Sequence, residues 1–168
     1  MPEPTADPTL DRLLRHMAWA NAMIFARLAE LPDTALALAS PRNEWTVAMI
    51  AEHIERAAGG YAARLEGVSR PERTAPPATA AELDELAARC AAHDARIRAQ
   101  ASVPDGPAAF PYRGTEVRAR STILGQAIHH ATEHRAQIAA ALATNGIDAI
   151  DLDALDVWAY GDAEGLGA

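Results

Sequence analysis

Residues Ile128 to Gln137 read I-H-H-A-T-E-H-R-A-Q, which places three of the chain's six histidines within six positions. Ile123, Leu124, Ala127, Ile138, Ala141 and Leu142 recur around them at helical spacing, so the stretch reads as the middle of an amphipathic helix. His130 and His134 are four residues apart, about 40° apart around the helix axis and one turn along it. Both can reach one ion. His129 points about 100° away from His130 and is excluded. His134 falls inside the apolar stripe. His130 lies at its edge beside Gln126, Glu133 and Gln137, a polar seam suited to orienting metal-bound imidazoles.

This helix is expected to start at Ser121 as N-cap and to stop at Asn145-Gly146, where glycine tolerates left-handed geometry. The segment before it, Val103 to Arg120, carries the turn signals Pro-Asp-Gly-Pro, Phe-Pro and, at 112–114, Tyr-Arg-Gly. Thr115 to Arg120 alternates weakly, so we expect a loop with at most a short hairpin. A third helix opens on the capping-box pattern Thr79-Ala80-Ala81-Glu82 and runs to about Ala101. Leu83, Leu86, Ala87, Cys90 and Ile97 share its inner face, which makes Cys90 a core residue. His93 and Asp94 lie near that stripe, read as a solvated pair and are kept out of the ligand set.

A proline- and arginine-containing linker, Gly67 to Ala78, precedes it. The second helix spans about Thr46 to Leu65 and turns Val47, Ile50, Ile54, Ala58, Tyr61 and Leu65 inward, with His53 on the flank of that stripe. The first carries Leu10, Leu13, Leu14, Met17, Ile24, Leu28 and Leu31 and ends at Pro32. Asn21 sits inside its stripe as a buried polar group that needs a partner. Trp19, on nearly the opposite face, covers a later segment or forms a subunit interface, and His16 reads as solvated. The tail holds one short helix around Asp151 to Tyr160, with Trp158 and Tyr160 expected to pack on the rest.

Four long amphipathic helices without a convincing sheet predict an all-α fold: one domain over residues 1–168, an antiparallel four-helix bundle with a short C-terminal helix. A length of 168 residues and 49% hydrophobic composition suit one domain with a real core. All fifteen basic residues are arginine and the formal charge is -8, so no positive field is present to grip phosphates and nucleic acid is not an expected partner. The lone Cys90 forms no internal disulfide, the opening residues lack a signal-peptide layout, and no apolar run approaches a bilayer span. We expect no membrane association and a cytoplasmic location.

With His53 near mid-span of the second helix, the chain offers three imidazoles, His53, His130 and His134. Three neutral imidazoles leave an open coordination position, the arrangement of a reactive zinc site, although histidine also accepts nickel, iron or copper. No glutamate stands three residues before any histidine, so the Glu-x-x-His signature of di-iron bundles is absent. His130-Ala-Thr-Glu133-His134 does match the H-x-x-E-H pattern of inverzincin proteases. The small helical pattern and the short stretch after His134 do not fit such a protease, and that reading is set aside.

The order of motifs resembles the DinB-like family: A-W-A-N and A-E-L-P in the first helix, E-W-T-V-A-M-I-A-E-H ending at His53, and H-x-x-x-H-R-x-Q from His130 to Gln137. The resemblance implies a four-helix bundle holding a divalent metal, zinc or nickel, on His53, His130 and His134. It implies a homodimer, and for some members a transferase or isomerase that uses a low-molecular-weight thiol such as mycothiol or bacillithiol on a small-molecule substrate. Others of the family have no established activity. The family's usual Arg-Gly-Gln is Arg135-Ala136-Gln137 here, a departure that touches no ligand. Three functions follow as expectations: a metal-dependent thiol transferase, a non-catalytic metal-binding stress-response protein with Asp94 or Glu133 as a fourth ligand, and a dimer whose histidines only pack. No residue stands out as a dedicated general base, although Glu133 is adjacent.

Overall fold

A computed structural model describes residues 6–111 and 115–166. It is mostly helical: α1 Pro8–Ala29, α2 Val47–Glu66, α3 Ala80–Ala99, α4 Arg120–Thr144 and a short α5 Val157–Ala163, with 3-10 turns at Asp33–Ala37 and Asp153–Leu155. The expected short hairpin is present as β1 Pro107–Pro111 paired antiparallel with β2 Thr115–Ala119. The Tyr-Arg-Gly turn signal at 112–114 lies outside the described residues. None of the described helices is long and apolar enough to cross a membrane.

Local chemistry sets the helix ends. Asp7 accepts from the amides of Thr9 and Leu10 at the start of α1, and Thr46 from that of Met49 at the start of α2. The Thr79 hydroxyl accepts from the Glu82 amide, while the Glu82 carboxylate reaches back to the amide of Ala78, one residue before the cap. Gly67, at φ 70°, closes α2 in the left-handed region. Ser121 is not the cap expected for α4. The helix begins one residue earlier, and Asp105 from the preceding loop accepts both the amide and the hydroxyl of Ser121. A cap supplied across sixteen residues leaves no local signature.

α1 packs on α3, α3 on α2, α2 on α4, and α4 closes against α1. Ile24, Ile50, Leu83, Leu86, Ile97, Ile138 and Leu142 are fully buried between them. Fourteen of the twenty α2 residues are buried, so α2 is the central helix. Its small residues permit that: a Cβ on Gly59 would come within 2.9 Å of the His93 ring. Arg120, at the start of α4, donates to the Leu65 carbonyl and to Gln100 Oε1, joining the ends of α2 and α3. The hairpin buries Ala108 and Phe110 and leaves Val117 exposed.

Two expectations for α1 and the tail are corrected. His16 is buried, its Nε2–H donating to the Leu155 carbonyl at 2.8 Å, because the C-terminal segment folds over the outer face of α1. Trp19 serves that same segment, its ring centroid 5.4 Å from that of Tyr160. Tyr160 is buried as expected, whereas Trp158 is 86% exposed.

Candidate metal centre

α2 and α4 bring His53, His130 and His134 together, each half-buried, with one nitrogen of each within 4.8 Å of the others. His53 Nε2 and His130 Nε2 face each other at 2.9 Å. His129 is exposed on the far side of α4. Neither Asp94 nor Glu133 joins this group, so a fourth protein ligand from either is not in place.

Burial first, and then the neighbouring histidines, push His53 down to about 3. Burial, His134 and Arg56 push His130 down to about 4. Both rings are therefore neutral at pH 7, the form that offers a lone pair. His134 Nδ1–H donates to Gln137 Oε1 at 2.9 Å, which fixes the proton there and leaves Nε2 free for an ion. Gln137 is held in turn, its amide donating to Asn43 Oδ1 at 3.2 Å and to Ser40 Oγ at 3.4 Å. The glutamine of the H-R-x-Q string thus sets a tautomer.

His53 is arranged otherwise. Arg56 donates to its Nδ1 at 2.8 Å, which puts the ring proton on Nε2, toward His130. Binding an ion through Nε2 requires that proton to move to Nδ1 and Arg56 to turn away. Buried Glu52, 3.1 Å from Arg56 Nε, can receive the guanidinium, and also binds Arg73. The donor set fits a divalent ion with this one adjustment.

Aromatic rings enclose the cluster. Trp45 lies 4.9 Å from His53 and 6.2 Å from His134, and Tyr61 lies 5.7 Å from His130, centroid to centroid. An open groove of about 630 Å³ runs past His134, with Ser40, Arg42, Asn43, Glu133 and Gln137 among its walls.

Behind His130 lies a buried polar network joining α1, α3 and α4. Arg135 donates to Asn21 Oδ1 at 2.7 Å and to Thr132 Oγ1 at 3.0 Å, and Asn21 donates to Asp94 Oδ2 at 3.0 Å. Asn21 is the satisfied buried group its position in the stripe predicts. Asp94 is 2% exposed rather than solvated, and His93 is half-buried with Nε2 3.3 Å from Glu55. Gly59 lets α3 approach α2 closely enough to cover His93. Cys90 is core, its thiol pushed up by burial.

Sequence reasoning missed Glu52 and Arg56, whereas Gln137 belongs to the polar seam expected to orient the imidazoles and does so on His134 rather than on His130. An i,i+3 spacing from His53 to Arg56 and from His134 to Gln137 was the available signal. A comparison with curated proteins finds no match. The family model described as DinB family matches residues 1–161, nearly the whole chain, and the chain belongs to the DinB family.

Proposed function

We propose that His53, His130 and His134 hold one divalent ion, zinc or nickel, and that the protein is a metal-dependent transferase using a low-molecular-weight thiol of the mycothiol or bacillithiol type. The observation that carries this reading is the orientation of His134 by Gln137 at the edge of an open groove. A purely packed histidine needs no such tautomer control. An ion bound there supplies Lewis acidity, which favours the thiolate form of a sulfur that reaches it.

The protein's own residues do the rest. Ser40, Asn43 and Gln137 line the groove with groups that bind a polar co-substrate, and Arg42 adds a cation. Trp45 and Tyr61 exclude water from the histidines' flanks. Glu133 shares the groove with His134 and can accept the proton a thiol loses. We infer an antiparallel four-helix bundle from the pairwise contacts, acting in the cytoplasm as a homodimer on a small electrophile.

The test begins with elemental analysis of protein prepared without added metal or affinity-tag nickel, beside the His130→Ala, His134→Ala double variant. Near one ion per chain in the parent and almost none in the variant is expected. Added thiol should then perturb the spectrum of nickel- or cobalt-loaded protein. Metal without any thiol response would leave the alternative, a non-catalytic metal-binding stress-response protein in which the ion ties α2 to α4. No metal in either, with both folded, would reduce the histidines to scaffold.

A further inference from the structure

Between His130 and the buried network is a small cavity of about 10 Å³, walled by Ala58, Ile97 and other apolar groups. Its polar walls are Asn21, Tyr61, Asp94 and His130. That volume is about the minimum that holds one water molecule, and a water is stable only where two or more polar groups meet it.

One buried oxygen without a partner and one ring nitrogen belong to residues that border this cavity. Asp94 is 2% exposed, its Oδ2 accepts from Asn21, and its Oδ1 has no hydrogen-bond partner among the described residues. A buried carboxylate oxygen without a donor is costly, and burial pushes the Asp94 carboxyl up to about 6. The ring nitrogen is that of His130. With Nε2 turned toward His53 as the ligand atom, a neutral ring carries its proton on Nδ1, and no hydrogen bond from Nδ1 forms among the described residues. One group lacks a donor and the other an acceptor, across a space the size of one water.

We propose that this cavity holds a single water through which the Asp94 carboxylate orients the His130 imidazole, making Asp94 a positioning residue for the three-histidine centre. The inference rests on the metal-binding reading above. Asp94 touches neither ion nor substrate. It accepts from the water at Oδ1, the water accepts from His130 Nδ1–H, and Asn21, itself held by Arg135, keeps the carboxylate from rotating. α3, which carries none of the three histidines, thereby joins the centre.

The test uses the metal-loaded full chain. Zinc affinity is measured by competition with a chromophoric chelator in the parent, in Asp94→Asn and in Ala58→Val, which fills the cavity without altering the carboxylate. Weakening by about tenfold in both is expected, the usual size of losing a hydrogen-bond partner behind a metal ligand. The cobalt(II) forms give a readout that packing alone would not move. The hyperfine-shifted, exchangeable His130 N–H resonance should shift and exchange faster in both variants. A crystal structure of the zinc-loaded parent should show the water.

An empty cavity in that structure, or unchanged affinity and an unchanged resonance in both variants while the parent binds zinc, would overturn the inference and leave the metal centre standing. A parent that binds no zinc would overturn both. If Asp94→Asn does not fold, Ala58→Val decides alone.

Discussion

Arg56 shows how one side chain tunes a site without belonging to it. Its guanidinium donates to His53 Nδ1, which stabilises the tautomer that cannot bind an ion through Nε2, and its charge opposes a cation a few ångströms away. Both effects weaken metal binding. Arg56→Met keeps the stem and removes both, while Glu52 retains its bonds to Arg73. We expect zinc to bind about tenfold more tightly to this variant, equivalent to a screened interaction of about 1.4 kcal/mol. Chelator competition at low salt measures it. Unchanged or weaker binding would mean that Arg56 is needed to place the His53 ring. His134 is the contrasting case, since its Nδ1 partner Gln137 accepts a proton and already favours the ligating tautomer.

Among the elements, the C-terminal segment is the one held by few and identifiable contacts. His16 donates to Leu155, Arg15 donates to the Tyr160 hydroxyl, Tyr160 donates to Glu164, and Trp19 lies against the Tyr160 ring. His16→Ala leaves the part-buried Leu155 carbonyl without its donor, at a cost of about 1 kcal/mol that falls on this segment. Amide hydrogen exchange in α5 should accelerate while that in α2 stays as in the parent. Uniform acceleration in both would show that α5 is integral to the core. This segment also marks the limit of what the sequence discloses. Pro32, Thr46, Thr79 and Gly146 are read correctly as boundaries because a boundary is a local event. The pairing of His130 with His134 is legible for the same reason, as one helical turn relates them. His16 looks solvated because periodicity puts it off the α1 stripe, and its cover comes from a residue 139 positions away. Asp94 and Glu52 were opaque likewise: a carboxylate on a helix flank is buried or solvated according to what another helix brings to it.

For the molecule as a whole, Asp94 is a place where stability is given up. Burial is the largest influence on its carboxyl and raises it from the ordinary 3.8 to about 6, against the opposing pull of Asn21 and Arg135. The folded chain thus holds the proton more tightly than the unfolded chain. Below about pH 4 both states are protonated and the group costs nothing. As pH rises through the interval from about 4 to about 6, the unfolded state ionises first and stability falls. Above pH 6 the full penalty applies, at most about 3 kcal/mol for a two-unit rise. Asp11, Glu66 and Asp105 are shifted downward and act in the opposite sense, gaining stability as they ionise, so the parent's own pH profile mixes the two. Comparison with Asp94→Asn separates them. The variant should gain on the metal-free parent across pH 4 to 6 in urea unfolding and keep a constant difference above it. A fixed offset is also expected, since Arg135 loses a counter-charge while keeping its bonds to Asn21 and Thr132. Parallel profiles throughout would show that the carboxylate is already solvated in the fold. A variant that is more stable when metal-free and yet binds zinc less well would identify Asp94 as kept for the histidine centre rather than for the fold.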